Sequence, residues 1–168
     1  MLTITGGYAG IHEHLPVLRK ICLEQEAQTI VELGTWYGNS TKAFLEVCKV
    51  LGAKLISIDV DCCKEVQCDE VKNDPNWTFH QMDDMEFNIN FPIDVLFIDT
   101  SHTYPHTLME LEKYTPWLVS KGVVLMHDTV TCPPVARSIK EFLDNHPHEY
   151  SYEELKNNHG LGILRRLQ

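Results

Sequence analysis

Short apolar runs alternate with longer amphipathic stretches along the chain. Apolar side chains at helical spacing predict a leading helix over residues 12–27 and a second helix over residues 39–51. The second helix begins with Asn39, Ser40 and Thr41, whose side chains are typical helix caps. Apolar runs that stop at polar residues or glycine predict five strands, over residues 29–33, 54–58, 77–80, 94–98 and 123–126.

Two more helices and two more strands complete this pattern. The helices are predicted over residues 105–118 and 133–145, each with proline in its first turn, and the strands lie within residues 148–167. A turn at Lys121 and Gly122 precedes the fifth strand. Strands joined by crossovers of helix length favour an α/β fold in which helices cover both faces of a mostly parallel sheet.

Polar residues recur where the predicted strands end. Ligands of open parallel sheets bind beyond the carboxyl ends of the strands, so these residues are candidates for a binding site. They are Glu32 and Gly34, Asp59, Asp83, Asp99, and His127 with Asp128.

Composition and charge narrow the classes of function. The length of 168 residues fits a single domain, 1–168, with a leading helical region (1–27) and a core (28–168). Without a long apolar run or a signal-like N-terminus, the sequence predicts a cytoplasmic protein that does not enter membranes. A net charge of −10 disfavours nucleic acid as a partner.

The six cysteines indicate reduced thiols rather than disulfides in such a compartment. Three of them form the cluster Cys62-Cys63-x4-Cys68, which invites a zinc interpretation. Because it lacks the paired C-x2-C spacing of structural zinc sites, ordinary free thiols are the favoured interpretation.

The loop after the first strand has the spacing of a cofactor-binding turn. Gly34 and Gly38 allow tight reversal and close approach of a ligand, and the following helix begins with amides that favour an anion. Trp36 stands where dinucleotide folds carry their second glycine, which disfavours NAD. Asp59, 21 residues after Gly38, is placed to accept hydrogen bonds from ribose hydroxyls, although it could also cap a turn.

Four segments carry a family resemblance. Residues 30–41 resemble motif I of class I S-adenosylmethionine-dependent methyltransferases, and residues 56–59 look like their second motif. Residues 97–104 and 122–129 are similar to the branch related to macrocin O-methyltransferases and cephalosporin hydroxylase-like proteins. The resemblance implies a Rossmann-like, doubly wound, mostly parallel seven-stranded sheet with an antiparallel C-terminal strand, in three α/β/α layers.

The same resemblance implies which residues bind the cofactor S-adenosylmethionine. Glu32 and the Gly34–Gly38 loop would hold its methionine portion, Asp59 its ribose and Asp83 its adenine amine, with Asp84 as the competitor of Asp83. The full set of candidate cofactor-binding residues is Glu32, Gly34, Thr35, Trp36, Gly38, Ser40, Thr41, Asp59, Val60, Met82, Asp83 and Asp99.

Asp99 and Asp128 end the fourth and fifth strands, which we expect to be neighbours, so both carboxylates are predicted to enter one cleft. Their repulsion could be relieved by a divalent cation. The candidate metal ligands are Asp99, Asp128 and His127; the carboxylates suit Mg²⁺, whereas the imidazole suits a transition metal. The candidate catalytic residues are Asp99, His102 and Asp128, with His102 either a general base or a loop histidine bonded to nearby backbone.

The sequence thus predicts an S-adenosylmethionine-dependent methyltransferase that acts on an oxygen, or alternatively a nitrogen, of a small or carbohydrate-like acceptor. Two alternatives remain open: a non-catalytic nucleoside-binding accessory domain of the same fold, and an NAD-dependent oxidoreductase. Because the sequence shows no insertion that would cover the acceptor, a homo-oligomer could complete the pocket.

Overall fold

A computed structural model of the chain describes residues 10–64, 66 and 69–168. Its helices are α1 (Leu15–Glu24), α2 (Asn39–Leu51), α3 (Asp69–Lys72), α4 (Tyr104–Tyr114) and α5 (Pro133–Asn145), with one 3-10 turn at Thr115–Trp117. Its strands are β1 (Thr29–Leu33), β2 (Lys54–Asp59), β3 (Trp77–Gln81), β4 (Ile93–Ile98), β5 (Leu118–His127), β6 (Tyr150–Leu155) and β7 (Leu161–Arg166).

The seven strands form one sheet in the order β3-β2-β1-β4-β5-β7-β6. Strands β1 to β5 pair in parallel, whereas β7 runs antiparallel to both β5 and β6. This arrangement confirms the predicted Rossmann-like, mostly parallel seven-stranded sheet with an antiparallel strand at the C-terminus. The strand order reverses between β1 and β4, which is where such sheets form their binding crevice.

Alternating side chains of the central strands build a core on each face of the sheet. In β4, Val95 and Phe97 join the core under α1 and α2, while Leu96 and Ile98 join the core under α4 and α5. Helices α1 and α2 contact each other on one face, as α4 and α5 do on the other. The result is the three-layer α/β/α architecture that the alternation of strands and helices predicts.

Two predicted boundaries are wrong for a local reason. The helix predicted to reach Leu118 ends at Tyr114, because Thr115–Trp117 contains a proline and tightens into a 3-10 turn. Leu118 instead begins β5, which continues through the predicted turn; Lys121 has a φ of 64°, and the register against β4 shifts near this point. A bulge therefore replaces the turn.

The leading helix is also shorter than predicted, since α1 covers ten residues and Glu26 already has a φ of 47°. By contrast, the structure gives β1, α2 and α5 the predicted bounds. Within the described ranges, every helix is too short or too polar to cross a membrane.

Candidate functional site

A cavity of about 650 Å³ opens at the carboxyl ends of the parallel strands. Loops that follow β1, β2, β3, β4 and β5 all contribute to its wall. Seven of the twelve candidate cofactor-binding residues line it, namely Gly34, Trp36, Asp59, Val60, Met82, Asp83 and Asp99. The candidate catalytic and metal-binding residues His102, His127 and Asp128 line it as well.

Gly34 makes the sharp turn that brings the first loop against the neighbouring strand. Its φ is 87°, and its N–H donates to the carbonyl oxygen of Ile58 at 2.9 Å. A Cβ on Gly34 would lie 2.1 Å from the carbonyl oxygen of Asp99. Only glycine fits this close approach of β1 and β4 at the floor of the cavity.

Asp59 fixes the conformation of the same loop. Its Oδ2 accepts hydrogen bonds from the N–H groups of Thr35 (2.7 Å) and Trp36 (3.1 Å), and its Oδ1 accepts one from Asp61 (2.9 Å). The carboxylate borders the cavity from this position. Asp59 therefore combines a structural role in the loop with exposure to a ligand.

Glu32 lies beneath the loop and is fully buried rather than part of the cavity wall. Its carboxylate accepts hydrogen bonds from Ser40 Oγ (2.6 Å), Thr41 Oγ1 (2.8 Å) and Ser57 Oγ (2.6 Å). The predicted capping by Asn39, Ser40 and Thr41 is wrong, because the structure shows no side-chain cap on α2 and the two hydroxyls bond Glu32 instead. This network ties β1, β2 and α2 together under the loop.

Four more candidate cofactor-binding residues support the loop from outside the cavity wall, as Glu32 does. They are Thr35, Gly38, Ser40 and Thr41. Gly38 precedes α2 with a φ of 71°, and a Cβ there would lie 2.0 Å from a methyl carbon of Val66. Its conformation and close packing again require glycine. The five candidates outside the wall therefore shape the loop from below.

Burial raises the pKa of Glu32 to about 7, and the three hydroxyl bonds oppose this shift only in part. The native state thus holds a proton that the unfolded chain releases above a pKa of 4.5, so this stabilisation is lost as pH rises from 4.5 to 7. We expect a loss of about 3 kcal/mol from this group. Glu32→Gln should remove that part of the pH dependence of unfolding, measured by urea denaturation between pH 4.5 and 7.5.

The exposed Glu24 provides the control for this measurement, since its side chain is 59% accessible on α1. Glu24→Gln should retain the wild-type slope of unfolding free energy against pH. An unchanged slope in Glu32→Gln would show that Glu32 is ionised throughout this range.

Two aspartates and two histidines form one cluster on the other side of the cavity. Nε2 of His102 lies 3.0 Å from Oδ1 of Asp99 and 3.1 Å from Oδ2 of Asp128. Nδ1 of His127 lies 3.2 Å from Oδ2 of Asp128 and 3.5 Å from Oδ2 of Asp99. As predicted, Asp99 and Asp128 follow neighbouring strands, because β4 pairs with β5.

The cluster balances its own charge. Hydrogen bonds to Asp128 and Asp99 raise the pKa of His102 to about 10. Burial opposes the charged form of His127, but the same two carboxylates outweigh it and raise its pKa to about 10 as well. In return, the two imidazoles overcome the effect of burial and hold the pKa of Asp99 and Asp128 below its usual range. At neutral pH the cluster is two carboxylates facing two imidazolium ions.

Four non-glycine residues of the cavity wall have left-handed backbone conformations. The φ angles are 43° at Trp36, 52° at His102, 60° at Asp128 and 71° at His159. Such conformations cost free energy and concentrate at ligand-binding sites. Here they bring residues from four different loops to one cavity.

The donor set of the cluster fits a divalent cation. Asp99, His127 and Asp128 each present one ligand atom, and these atoms lie within 4.8 Å of one another. Two carboxylates with one imidazole favour a transition metal over Mg²⁺. When no cation is bound, the imidazolium ions of His102 and His127 balance the negative charge of the two carboxylates.

The structure distinguishes the two aspartates that follow β3. Asp83 is exposed at the cavity wall, where its carboxylate accepts a hydrogen bond from the N–H of Met85 at 2.8 Å. Asp84 is buried, and its carboxylate lies 3.2 Å from Nε2 of His106. Asp83 is therefore the more accessible of the two to a ligand.

Sequence reasoning missed several residues at this site. His106 and His159 line the cavity, and the adjoining Glu110 pairs with His106. His159 comes from the β6–β7 loop, and its carbonyl oxygen accepts the N–H of Val130 at 2.9 Å. The spacing of His106 and Glu110, four apart on one helix face, was the available signal.

The cysteine cluster is described only in part. Cys68 lies outside the described residues, while Cys63 is buried and Cys62 is partly exposed. Burial, followed by the negative charge of Asp59, raises the pKa of the Cys63 thiol above its usual range. A thiol held protonated is a weak metal ligand.

Comparison with protein-family models finds a match to the family described as methyltransferase domain, over residues 31–129. The matched segment exceeds half of the chain and contains the β1 loop, Asp59 and the Asp99 and Asp128 cluster. The chain belongs to this methyltransferase family. This match confirms the predicted membership of the class I methyltransferases. A separate comparison with curated proteins found no match.

Solved methyltransferases share the fold at low sequence identity. A TDP-rhamnose 3'-O-methyltransferase of calicheamicin biosynthesis aligns with a TM-score of 0.75 and 15% identity, over 94% of this chain and 80% of the other. The N-methyltransferase NodS from Bradyrhizobium japonicum, bound to S-adenosyl-L-homocysteine, aligns with a TM-score of 0.71 and 15% identity, over 95% and 89%. The O-methyltransferase TomG from Streptomyces achromogenes, bound to S-adenosylmethionine, aligns with a TM-score of 0.69 and 12% identity, over 98% and 92%.

Proposed function

We propose that this methyltransferase transfers the methyl group of S-adenosylmethionine to an oxygen of a small or carbohydrate-like acceptor. The observation that carries the proposal is a single cavity that has the glycine turn and Asp59 on one side and the Asp99–His102–His127–Asp128 cluster on the other. Structural neighbours that bind S-adenosylmethionine or its product, and one that acts on a nucleotide sugar, support the same assignment.

The cofactor would lie along the carboxyl ends of β1, β2 and β4. The Asp59 carboxylate has lone pairs beyond those engaged by the loop N–H groups, and it accepts the ribose hydroxyls with them. Asp83 accepts a hydrogen bond from the adenine amine, because its neighbour Asp84 is already paired with His106. Gly34 leaves room for the methionine portion at the turn.

Glu32 takes a positioning role in this proposal. Its carboxylate is fully buried and already accepts three hydroxyl donors, so it holds the loop rather than touching the cofactor. The same reasoning applies to Ser40 and Thr41, whose hydroxyls are engaged by Glu32. In this proposal the residues that contact the cofactor directly are Gly34, Trp36, Asp59 and Asp83.

Methyl transfer breaks the bond from carbon to sulfur and forms one from carbon to oxygen, while the acceptor hydroxyl loses its proton. Asp128 accepts a hydrogen bond from that hydroxyl and orients its oxygen for in-line attack, while Asp99 orients His102. The hydroxyl proton then passes to the neutral form of His102, which is a minor population at neutral pH because its pKa is raised to about 10. A divalent cation held by Asp99, His127 and Asp128 would lower the pKa of the bound hydroxyl.

Calorimetry with S-adenosylmethionine, S-adenosylhomocysteine and NAD tests the cofactor assignment. We expect both sulfur ligands to bind and NAD not to bind; failure of both sulfur ligands would overturn the proposal. Turnover is then followed as S-adenosylhomocysteine release with catechol and TDP-rhamnose as acceptor probes. Cofactor binding without release on any hydroxyl acceptor would favour the accessory-domain alternative.

Asp59→Ala should weaken S-adenosylhomocysteine binding. The substitution removes the ribose acceptor and frees two loop N–H groups, each bonded to a charged oxygen. Loss of such bonds costs about 1.5–3 kcal/mol, which corresponds to roughly a 10- to 100-fold higher Kd. Calorimetry measures the change directly.

Asp61→Ala is the matched control, since it is the backbone N–H of Asp61 that bonds Asp59, and alanine retains it. This variant should bind with nearly the wild-type Kd. Equal affinities for Asp59→Ala and Asp61→Ala would show that Asp59 does not contact the ribose.

A further inference from the structure

A second cluster of acidic and imidazole side chains lies at the edge of the cavity. His106 and Glu110 are four residues apart on one face of α4, and Asp84 reaches them from the segment after β3. Asp84 and His106 line the cavity, whereas Glu110 is fully buried behind them. None of the three is used by the methyl transfer proposed above.

The spacing of these atoms is that of a metal coordination shell. Nε2 of His106 lies 3.2 Å from Oδ1 of Asp84 and 3.4 Å from Oε1 of Glu110. Ligands at ~2.0–2.1 Å from a tetrahedral ion are separated by about 3.3–3.4 Å. One ligand atom from each residue also lies within 4.8 Å of the others.

Two buried carboxylate oxygens in this cluster lack a hydrogen-bond partner among the described residues. They are Oδ1 of Asp84, whose side chain is 7% exposed, and Oε2 of Glu110, whose side chain is 0% exposed. The hydrogen bond between His106 and Asp84 uses the other Asp84 oxygen, Oδ2, at 3.3 Å. Unpartnered buried acceptors of this kind are stabilised by a bound cation.

The surroundings hold the three residues in place without neutralising them. Thr100 Oγ1 donates to Oε1 of Glu110 at 2.7 Å and so orients that carboxylate. Lys113 Nζ and Tyr114 Oη donate to the backbone carbonyl oxygen of Asp84 at 2.8 Å and 2.7 Å, not to its carboxylate. With both carboxyl groups ionised, the cluster carries one more negative than positive charge even when His106 is protonated.

We propose that Asp84, His106 and Glu110 bind one divalent transition-metal ion of the Zn²⁺ type beside the cofactor cavity. One imidazole nitrogen and two carboxylates suit such an ion better than Mg²⁺ or Ca²⁺, which prefer oxygen ligands alone. Thr100 supplies the outer hydrogen bond that orients ligating carboxylates in metal sites. The fourth coordination position faces the cavity that Asp84 and His106 line, so water or another ligand can occupy it.

Cobalt(II), a spectroscopic substitute for zinc, tests this site in the full chain without any cofactor. Because the Asp99–His127–Asp128 cluster can also hold a cation, the titration uses Asp128→Asn as its background, in which visible d–d absorption should saturate at one ion per chain. Adding His106→Gln or Glu110→Gln should raise the Kd for cobalt by about 100-fold, because each removes a ligand. Adding Glu112→Gln, a change at an exposed residue of α4 outside both clusters, should retain the spectrum and affinity of the background.

Three outcomes would overturn the proposal: no d–d absorption in Asp128→Asn, an unchanged spectrum and affinity when His106→Gln is added to it, or a thiolate-to-cobalt charge-transfer band. Since Glu110→Gln alters a buried residue, wild-type crystals soaked in ZnCl₂ provide the second measurement. An anomalous peak between Asp84, His106 and Glu110 is expected, and its absence there contradicts the site. Both readouts are independent of S-adenosylmethionine binding, so this proposal and the methyltransferase proposal succeed or fail separately.

Discussion

Gly34→Ala should lower the free energy of unfolding by about 4 kcal/mol or more. The new Cβ would lie 2.1 Å from the carbonyl oxygen and 2.7 Å from the carbonyl carbon of Asp99. These are backbone atoms at the end of β4, so no side-chain rotation can relieve the clash. Either β1 and β4 separate, or the turn unwinds and the bond from Gly34 N–H to Ile58 is lost.

Gly52→Ala is the matched control for this substitution. Gly52 ends α2 with a φ of 70°, close to the 87° of Gly34, but a Cβ added there would meet no atom of the described residues within 4 Å. It should therefore cost only the ~1–2 kcal/mol of a left-handed alanine. Urea denaturation of both variants separates the clash from the conformational cost, and equal losses would show that the β1–β4 contact yields easily.

Local sequence patterns predict most of the central sheet. The run Thr29–Leu33 has the predicted bounds because four of its five residues are buried and glycine follows at once. The end of α4 was mispredicted because apolar spacing continues through Leu118, although that residue packs in the core as part of β5. Periodicity identifies which positions are apolar, but a proline-induced turn decides which element they belong to.

The candidate site was predictable only where its residues follow parallel strands. Asp99 and Asp128 were placed on neighbouring strand ends by topology, and β4 does pair with β5. His159 reaches the cavity from the β6–β7 loop, and Glu32 is occupied by hydroxyls from α2 and β2. These contacts join segments that are far apart in the sequence, so the spacing of neighbouring residues does not predict them.

Asp128→Asn should lower kcat for methyl transfer by about 10³-fold. Asparagine tolerates the φ of 60° at this position, so the backbone is retained. The amide still accepts the Thr131 hydroxyl through Oδ1, but its NH₂ group faces His102 and His127 in place of a carboxylate oxygen. Both imidazoles lose a counter-charge, and the acceptor hydroxyl loses a hydrogen-bond acceptor.

Steady-state kinetics and calorimetry together distinguish this catalytic defect from misfolding. Since Asp128 does not belong to the proposed cofactor contacts, the Kd for S-adenosylhomocysteine should stay near the wild-type value while kcat falls. Asp144→Asn, which removes a charge from the exposed end of α5, should leave both quantities unchanged. If Asp128→Asn kept most of the wild-type kcat, the cluster of two aspartates and two histidines would serve the fold of the cavity and the acceptor hydroxyl would be activated elsewhere.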